Sequence, residues 1–546
     1  MYARFAWGLR DFLRHTITLE EAKAVVQQRL AEREGNFLRL VERGIFGYPR
    51  SPYLPLLKLA QVELGDIQNM VIDKGLEGTL QALQKAGVCV TFEEFKGREP
   101  IVRHGKAIPV KTRDFDNPYL RSSYHAESSG TTGPASRIPI DWESIAARAP
   151  QMMLAREAHG VLHAPMAIWR GILPDNSGIN SILHATRYGH VPQRWFSPVT
   201  SRDMNPSLGY RLATQYIVTA GRLLGVPIPR PQAVPLEYAD TVAHWVADML
   251  ALHDTCLLSC HVSLALRVAL AAQEHGLDLT GATFMGGGEP PTPAKVREIE
   301  RTGARWVSTY FFAEAGAVGL GCARPADPSD VHLMKDSLAL IQAPRQVPDT
   351  GATVDLFLFT SLLLEAPKLL LNVESDDFGF VGARPCGCPL EACGFDIHLG
   401  HIRSLRKLTG EGVTLVGSEM IHILEEELPA RFGGSPLDYQ LLEDEDEQGF
   451  TRLTLLVHPR IELDDEGQVI EAVLTALETS SIAADAARAI WLQAQTLRLQ
   501  RREPITSARG KQMPLHRSIA SDCRPVRPAI APLESSSASR VPGASD

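Results

Sequence analysis

Residues 128–133 read SSGTTG, inside the longer stretch YHAESSGTTGPASRIP. Ser128, Ser129, Thr131 and Thr132 supply hydroxyl donors, and Gly130 and Gly133 permit backbone angles that other residues resist. A loop of such small residues lets successive backbone N–H groups converge on an anion, so the chemistry it suits is phosphate contact. A solvent-exposed polar loop is the plainer alternative. No GK[ST] follows, so this is not a Walker A loop, and no GxGxxG occurs. The run Gly286–Gly288 follows a predicted strand but lacks dinucleotide-binding spacing. A second group is made of cysteines: of the 8 in the chain, four are Cys322, Cys386, Cys388 and Cys393. In a chain this large, that clustering suggests a metal site or chance more than a disulfide scaffold.

The elements that position these residues follow from periodicity. ITLEEAKAVVQQRLAEREGNFLRLVERGIF carries apolar residues at helical spacing after Thr18, a predicted cap. GLEGTLQALQKAGV, from Gly75, reads as a second amphipathic helix closed by a glycine. From residue 121 to about 400, strand, loop and helix alternate, which argues an α/β fold with covered sheets. ASRIPIDW reads as a strand, and DWESIAARAPQMMLAREAHG as a helix that Pro150 interrupts. GATFMGGGEPPTPAKVREIERTG gives a strand, a turn and a helix starting near Thr292, and ARWVSTYFFAEAG a strand and turn. Ligands gather at the carboxyl ends of strands in such sheets. The expected organisation is a helical segment over 1–120 belonging to a large domain, a core over 121–402, a small α+β domain over 403–516, and a disordered Ser/Pro/Ala-rich tail over 517–546.

Composition narrows the function classes. Apolar content of 44% and charged content of 22% are ordinary for soluble protein. A net charge of -9 argues against a nucleic-acid partner. No apolar run is long enough to span a membrane, and MYARFAWGLRDFLRH reads as an amphipathic helix packed on the body rather than a secretory signal. Cytoplasm is the expected location, and a homodimer is compatible with the chain.

The hexamer resembles the phosphate-binding loop [ST]SGTTGxPKG of the adenylate-forming (acyl-CoA synthetase, or ANL) superfamily, although the lysine is missing and Pro134 comes one place early. Further segments resemble that family in the same order, over roughly residues 50–515. GGGEP resembles its GAEP turn, which implies that Gly288, Glu289 and Pro290 flank adenine. TYFFAEAG resembles YGxTE, with Phe311 and Ala313 in place of glycine and threonine. That implies Tyr310 stacking on adenine and Glu314 binding magnesium. NVESDDFGF resembles YRTGDLG, which puts Asp377 on the ribose hydroxyls. EPITSARGKQMP resembles the late lysine motif and implies that Lys511 is the catalytic lysine. Within the superfamily the chain looks most like the phenylacetate-CoA ligase branch. Some members of that branch hold a structural zinc through a Cys, a His and a CxC pair. Cys322, His332, Cys386 and Cys388 match in type and order, with Cys393 or His398 as substitutes.

The resemblance implies ATP- and magnesium-dependent activation of a small-molecule carboxylic acid to an acyl-adenylate, then transfer to a thiol, with coenzyme A as the usual acceptor. The resemblance also implies a mobile small C-terminal domain that swings after adenylation, but the hinge-like stretch RKLTGEGVTLVGSEM departs from the family pattern at Val416 and at Glu411 or Gly410. An acyl carrier protein or an amine therefore stays open as acceptor, and so does a homologue that binds without turnover. WFSP at 195–198, CLLSCH at 256–261 and MGGG at 285–288 supply apolar and small residues, which favour an aromatic or medium-chain acid over a very polar one. His159, His163, His184, His190 and His261 read as satisfied surface or core histidines.

Overall fold

The structure is a computed structural model. It describes residues 2–120, 124–127, 137–173, 175–198, 208–288, 291–312, 314–346, 353–404, 409–410, 413–414, 418–445, 451–480, 497–506 and 512–517. The fold is a large mixed α/β N-terminal domain with layered sheets and helices, followed by a smaller α+β unit.

The large domain is organised by one 12-stranded sheet. Five short strands at one end, Met166–Trp169, Arg194–Ser197, Pro231–Ala233, Cys256–Ser259 and Ala282–Gly286, pair in parallel. Their neighbour Arg305–Phe312 is parallel to Ala282–Gly286 on one side and antiparallel to Gly316–Gly321 on the other. From there to Leu338–Gln346 every pairing is antiparallel. The parallel strands Met166–Trp169 and Ala282–Gly286 are buried at every position, as expected where helices cover both faces. Arg305–Phe312 is thus the pivot between two kinds of sheet, and its carboxyl end opens where the direction rule changes.

Local chemistry accounts for the helices. Thr18 caps Leu19–Ala31 by a capping box, accepting from the Glu21 amide at 3.3 Å while its own amide donates to the Glu21 carboxylate at 2.8 Å. The helix expected from Gly75 extends back to Leu64, with a break at Gly75, where φ is +69°. The amphipathic N-terminal helix Tyr2–Arg14 packs Leu9, Phe12 and Leu13 inward, and the Phe12 ring lies 5.4 Å from that of Trp142. Thr292 caps Pro293–Glu300 as expected. The helix Trp142–Ala158 departs from expectation because it runs straight through Pro150. Its buried face, with Ile145, Ala149, Met153 and Leu154, outweighs the hydrogen bond that proline removes. No described helix is long and apolar enough to cross a membrane.

The smaller unit has a 4-stranded sheet in the order Leu497–Arg501, Thr451–Val457, Tyr439–Glu445, Leu515–Arg517. With the helix Glu466–Ser480 it encloses its own core around Tyr439, Leu455, Val457 and Val473. It meets the large domain through a buried ion pair, Lys295 Nζ to Glu425 Oε1 at 3.3 Å, with both side chains at most 2% exposed.

His184, buried on the helix Ser177–Thr186, is held neutral: burial, reinforced by the charges of Arg148 and Arg156, pulls its pKa down to about 3 from 6.5. The unfolded chain takes up that proton first as pH falls. The stability is therefore complete above about pH 6.5 and is lost toward pH 3, by roughly 1.4 kcal/mol per unit. Urea denaturation across this window should show a steeper acid loss in the wild type than in His184→Asn. Equal slopes would contradict the neutral buried imidazole.

Candidate active site

The strand Ala282–Gly286 runs into Gly287 and Gly288 at the carboxyl edge of the parallel half. Close approach explains the glycines. A Cβ on Gly286 would stand 1.6 Å from the Cys260 carbonyl oxygen, and one on Gly287 would stand 1.8 Å from that of Thr309. Gly288 holds φ at +92°, which glycine adopts freely. Beside this turn, a register shift between Tyr310 and Phe311 breaks the ladder with Gly316–Gly321. Such bulges re-aim side chains. Tyr310 lines a cleft of about 700 Å³, open solvent included, together with Gly286, Gly287, Gly288, Asp377 and Arg403.

Two expected site residues meet there directly. The Tyr310 hydroxyl donates to Asp377 Oδ2 at 2.6 Å. Burial, and then the Asp377 charge, push the phenol well above its ordinary pKa, so Tyr310 keeps its proton and remains a donor. Ser375 braces the strand by accepting from the Asp377 amide at 3.2 Å. The cleft therefore joins an aromatic ring, a carboxylate and exposed glycine backbone, a set suited to a nucleoside. Arg403 and Ser404, also on its wall, went unremarked in the sequence; they end the strand Ile397–Ser404, just before the segment read as a hinge.

Glu314 is placed differently. It is buried, and Oε1 accepts from Lys96 Nζ at 2.6 Å. Lys96 follows the short helix Phe92–Phe95, and its ammonium also lies 5.5 Å over the Phe92 ring. The carboxylate matched to magnesium by resemblance is thus already neutralised by a lysine. As the chain stands it is a poor seat for a second cation. Ser128, Ser129, Gly130, Thr131, Thr132 and Gly133 lie outside the described residues, as do Glu289, Pro290 and Lys511. The strands flanking the loop, Tyr124–Glu127 and Arg137–Ile140, form an antiparallel pair with Glu127 opposite Arg137. Gln512, the residue after Lys511, is buried: its carbonyl accepts from Ser263 Oγ and its Oε1 from Arg267 Nη2, both at 3.3 Å.

Away from the cleft, Cys322, His332, Cys386 and His398 are all buried, with ligand atoms within 4.8 Å of one another. Cys388 Sγ, expected in the set, lies 3.0 Å from His332 Nε2. Both imidazoles are oriented from behind: His332 Nδ1 bonds the Phe395 carbonyl at 2.6 Å, and His398 Nδ1 bonds Asp330 Oδ1 at 2.7 Å. That leaves His332 Nε2 facing the sulfurs of Cys388 and Cys386, at 3.0 and 3.7 Å, the arrangement by which second partners aim metal-binding histidines. His398 Nε2 is buried without a hydrogen-bond partner. The donor set, Cys322, His332 and Cys386 with His398 and Cys388 both at hand for the fourth position, fits a closed tetrahedral zinc site.

Two outcomes are expected here. Lys96→Met should lower the magnesium concentration needed for nucleotide binding by about tenfold, since a charged hydrogen bond of this kind contributes roughly 1.5–3 kcal/mol; an unchanged requirement contradicts the competition. Elemental analysis should find zinc bound to the wild type and lost from His398→Ala. Retention in that variant and loss in Cys388→Ser would return the fourth position to Cys388.

No protein-family model matches the chain, and no curated protein matches it in sequence. Solved structures do. A 2-hydroxyisobutyryl-CoA ligase in the postadenylation state, in complex with R3-HIB-AMP, is 16% identical, with 92% of this chain and 90% of that chain covered and a TM-score of 0.50. The same ligase with 2-HIB-AMP and CoA, in its thioesterification state, is 16% identical over 92% and 91% of the two chains, with a TM-score of 0.44. The anthranilate CoA ligase AuaEII in complex with anthranoyl-AMP is 12% identical over 80% and 74%, at 0.43. The first likeness shows a shared fold: this chain is built on the architecture of 2-hydroxyisobutyryl-CoA ligase.

Proposed function

We propose that the chain is an adenylate-forming enzyme of the ANL superfamily, similar to the phenylacetate-CoA ligase branch. It activates an aromatic or medium-chain carboxylic acid with ATP and passes the acyl group to a thiol, coenzyme A. The observation that carries this reading is the Tyr310–Asp377 hydrogen bond beside the glycine turn. A ring face and a carboxylate side by side suit adenine and ribose.

The chemistry is a substitution at phosphorus. An oxygen of the substrate carboxylate attacks the α-phosphorus, the bond to the bridging oxygen of the β-phosphate breaks, and pyrophosphate leaves. Charge builds on the phosphoryl oxygens and the leaving group, so the reaction needs cations and N–H donors more than a strong base. In this reading the loop Ser128–Gly133 cradles the β- and γ-phosphates, and Gly288, Glu289 and Pro290 border adenine. Lys511 brings its ammonium to the reacting carboxylate and α-phosphate as a point charge. Support for Lys511 comes from its chain neighbour Gln512, anchored at the start of the helix that follows the strand Cys256–Ser259. Magnesium enters with the nucleotide phosphates, whose oxygens suit a hard ion. Zinc on Cys322, His332, Cys386 and His398, with Cys388 alongside, is structural and contributes folding energy. An acyl carrier protein or an amine is the alternative acceptor. The Lys96–Glu314 ion pair favours a second reading, a nucleotide-binding homologue without turnover.

Pyrophosphate exchange into ATP, dependent on an added acid and without any thiol, tests the reading. Lys511→Ala should lower exchange by a hundredfold or more, on the order of 3 kcal/mol of transition-state stabilisation, while ATP still binds. Full exchange in that variant removes Lys511 from the chemistry. No exchange with any acid, from wild type that binds ATP, supports the second reading.

A further inference from the structure

The buried strand Met166–Trp169 ends in an arginine, between the neighbouring strands Arg194–Ser197 and Cys256–Ser259. Arg170 Nε donates to Ser259 Oγ at 3.1 Å, and Nη2 donates to the Cys260 carbonyl at 3.3 Å. Both acceptors are neutral. Asp175 is near enough to favour the charge but accepts no hydrogen bond from Arg170; its Oδ1 accepts from the Ser177 amide at 2.9 Å, and its Oδ2 is buried and makes no hydrogen bond to any described residue. Among the described residues no carboxylate accepts a hydrogen bond from Arg170. Protein crowds the guanidinium closely enough for desolvation to lower its pKa, yet the residue is only half-buried. The guanidinium is crowded by protein on the side of Ser259 and Cys260.

The position matters. A Cβ on Gly286 would stand 3.2 Å from Arg170 Nη2, and Gly286 lines the cleft that holds Tyr310 and Asp377. The Trp195 indole N–H bonds the Arg170 carbonyl at 3.1 Å, which fixes the backbone that carries the guanidinium. A desolvated cation without an ionic hydrogen bond is costly by several kcal/mol. Such groups concentrate at functional sites. A planar guanidinium with N–H groups to spare matches a carboxylate in a two-point contact.

Resting on the acid-activation reading, we propose that Arg170 sets substrate specificity. It takes the second carboxylate of a dicarboxylic acid, while the first carboxylate faces the nucleotide. The substrate class is thus a dicarboxylic acid with an aromatic or medium-chain body, rather than a plain monocarboxylic acid.

The test is calorimetric binding of matched acids, phthalate against benzoate and adipate against hexanoate, to the full chain saturated with a non-hydrolysable ATP analogue. The wild type should bind the better dicarboxylate about tenfold or more tightly than its partner, the range expected for a charged hydrogen bond. Arg170→Met should abolish or reverse that preference and leave the analogue's own affinity unchanged. Arg170→Lys, which keeps the charge and loses the two-point geometry, should retain part of it and serves if the methionine variant does not fold. Equal wild-type affinity within both pairs overturns the proposal. So does loss of the analogue's affinity in the variants, which would assign Arg170 to phosphate. Because the readout is binding, dicarboxylate preference without pyrophosphate exchange would retain the role of Arg170 and remove the activation reading instead.

Discussion

The structure depends on how closely three backbone segments approach at the end of Ala282–Gly286. The Cys260 carbonyl presses on Gly286 and the Thr309 carbonyl on Gly287, at distances that leave no room for a Cβ. That contact brings the parallel half of the sheet up against the pivot strand Arg305–Phe312. Because the pivot is parallel on one side and antiparallel on the other, its end is where the crevice opens. The bulge after Tyr310 then turns the ring toward Asp377, which arrives from the antiparallel half. A side chain at Gly286 or Gly287 would force these segments apart and take the cleft with them.

The smaller unit is bound to this arrangement by charge. Lys295 sits on the helix that begins at Pro293, just past the glycine turn, and pairs with Glu425 in a nearly dry interface. Arg297 and Glu426 form a second pair at 3.1 Å with more solvent around it. A buried pair contributes modest net stability, but losing one member strands the other charge and is costly. The pairing therefore specifies one seating of the smaller unit. It leaves a cavity lined by Thr292, His401, Arg403, Glu425 and Met513 that shares Arg403 with the cleft at Tyr310.

Much of this was legible in the sequence where the signal was local. Strand and helix alternation gave the α/β class, Thr18 and Thr292 announced their helices, and motif order brought Gly288, Tyr310 and Asp377 to one place. What escaped depends on contacts distant in the chain. Lys96 meets Glu314 across 218 positions, and no short motif could announce that pairing. His398 could be named from the sequence only as a substitute ligand; that it lies in the cysteine cluster follows from the antiparallel pairing that sets it opposite His332, a matter of register rather than spacing. Pro150 reads as a break, yet its helix continues because tertiary burial exceeds local preference. Arg170, after four apolar residues, reads as the polar end of a strand; only the packing of Ser259, Cys260 and Gly286 around it reveals a crowded cation.

The central claim is that the cleft between Tyr310 and Asp377 binds an adenine nucleotide. Titration of ATP into the wild type and into Asp377→Ala, followed by calorimetry, tests it most directly. The account predicts saturable binding by the wild type and a loss of about tenfold or more in the variant, the range for hydrogen bonds to a charged group. Equal affinity in the two proteins, or no wild-type binding, would contradict it.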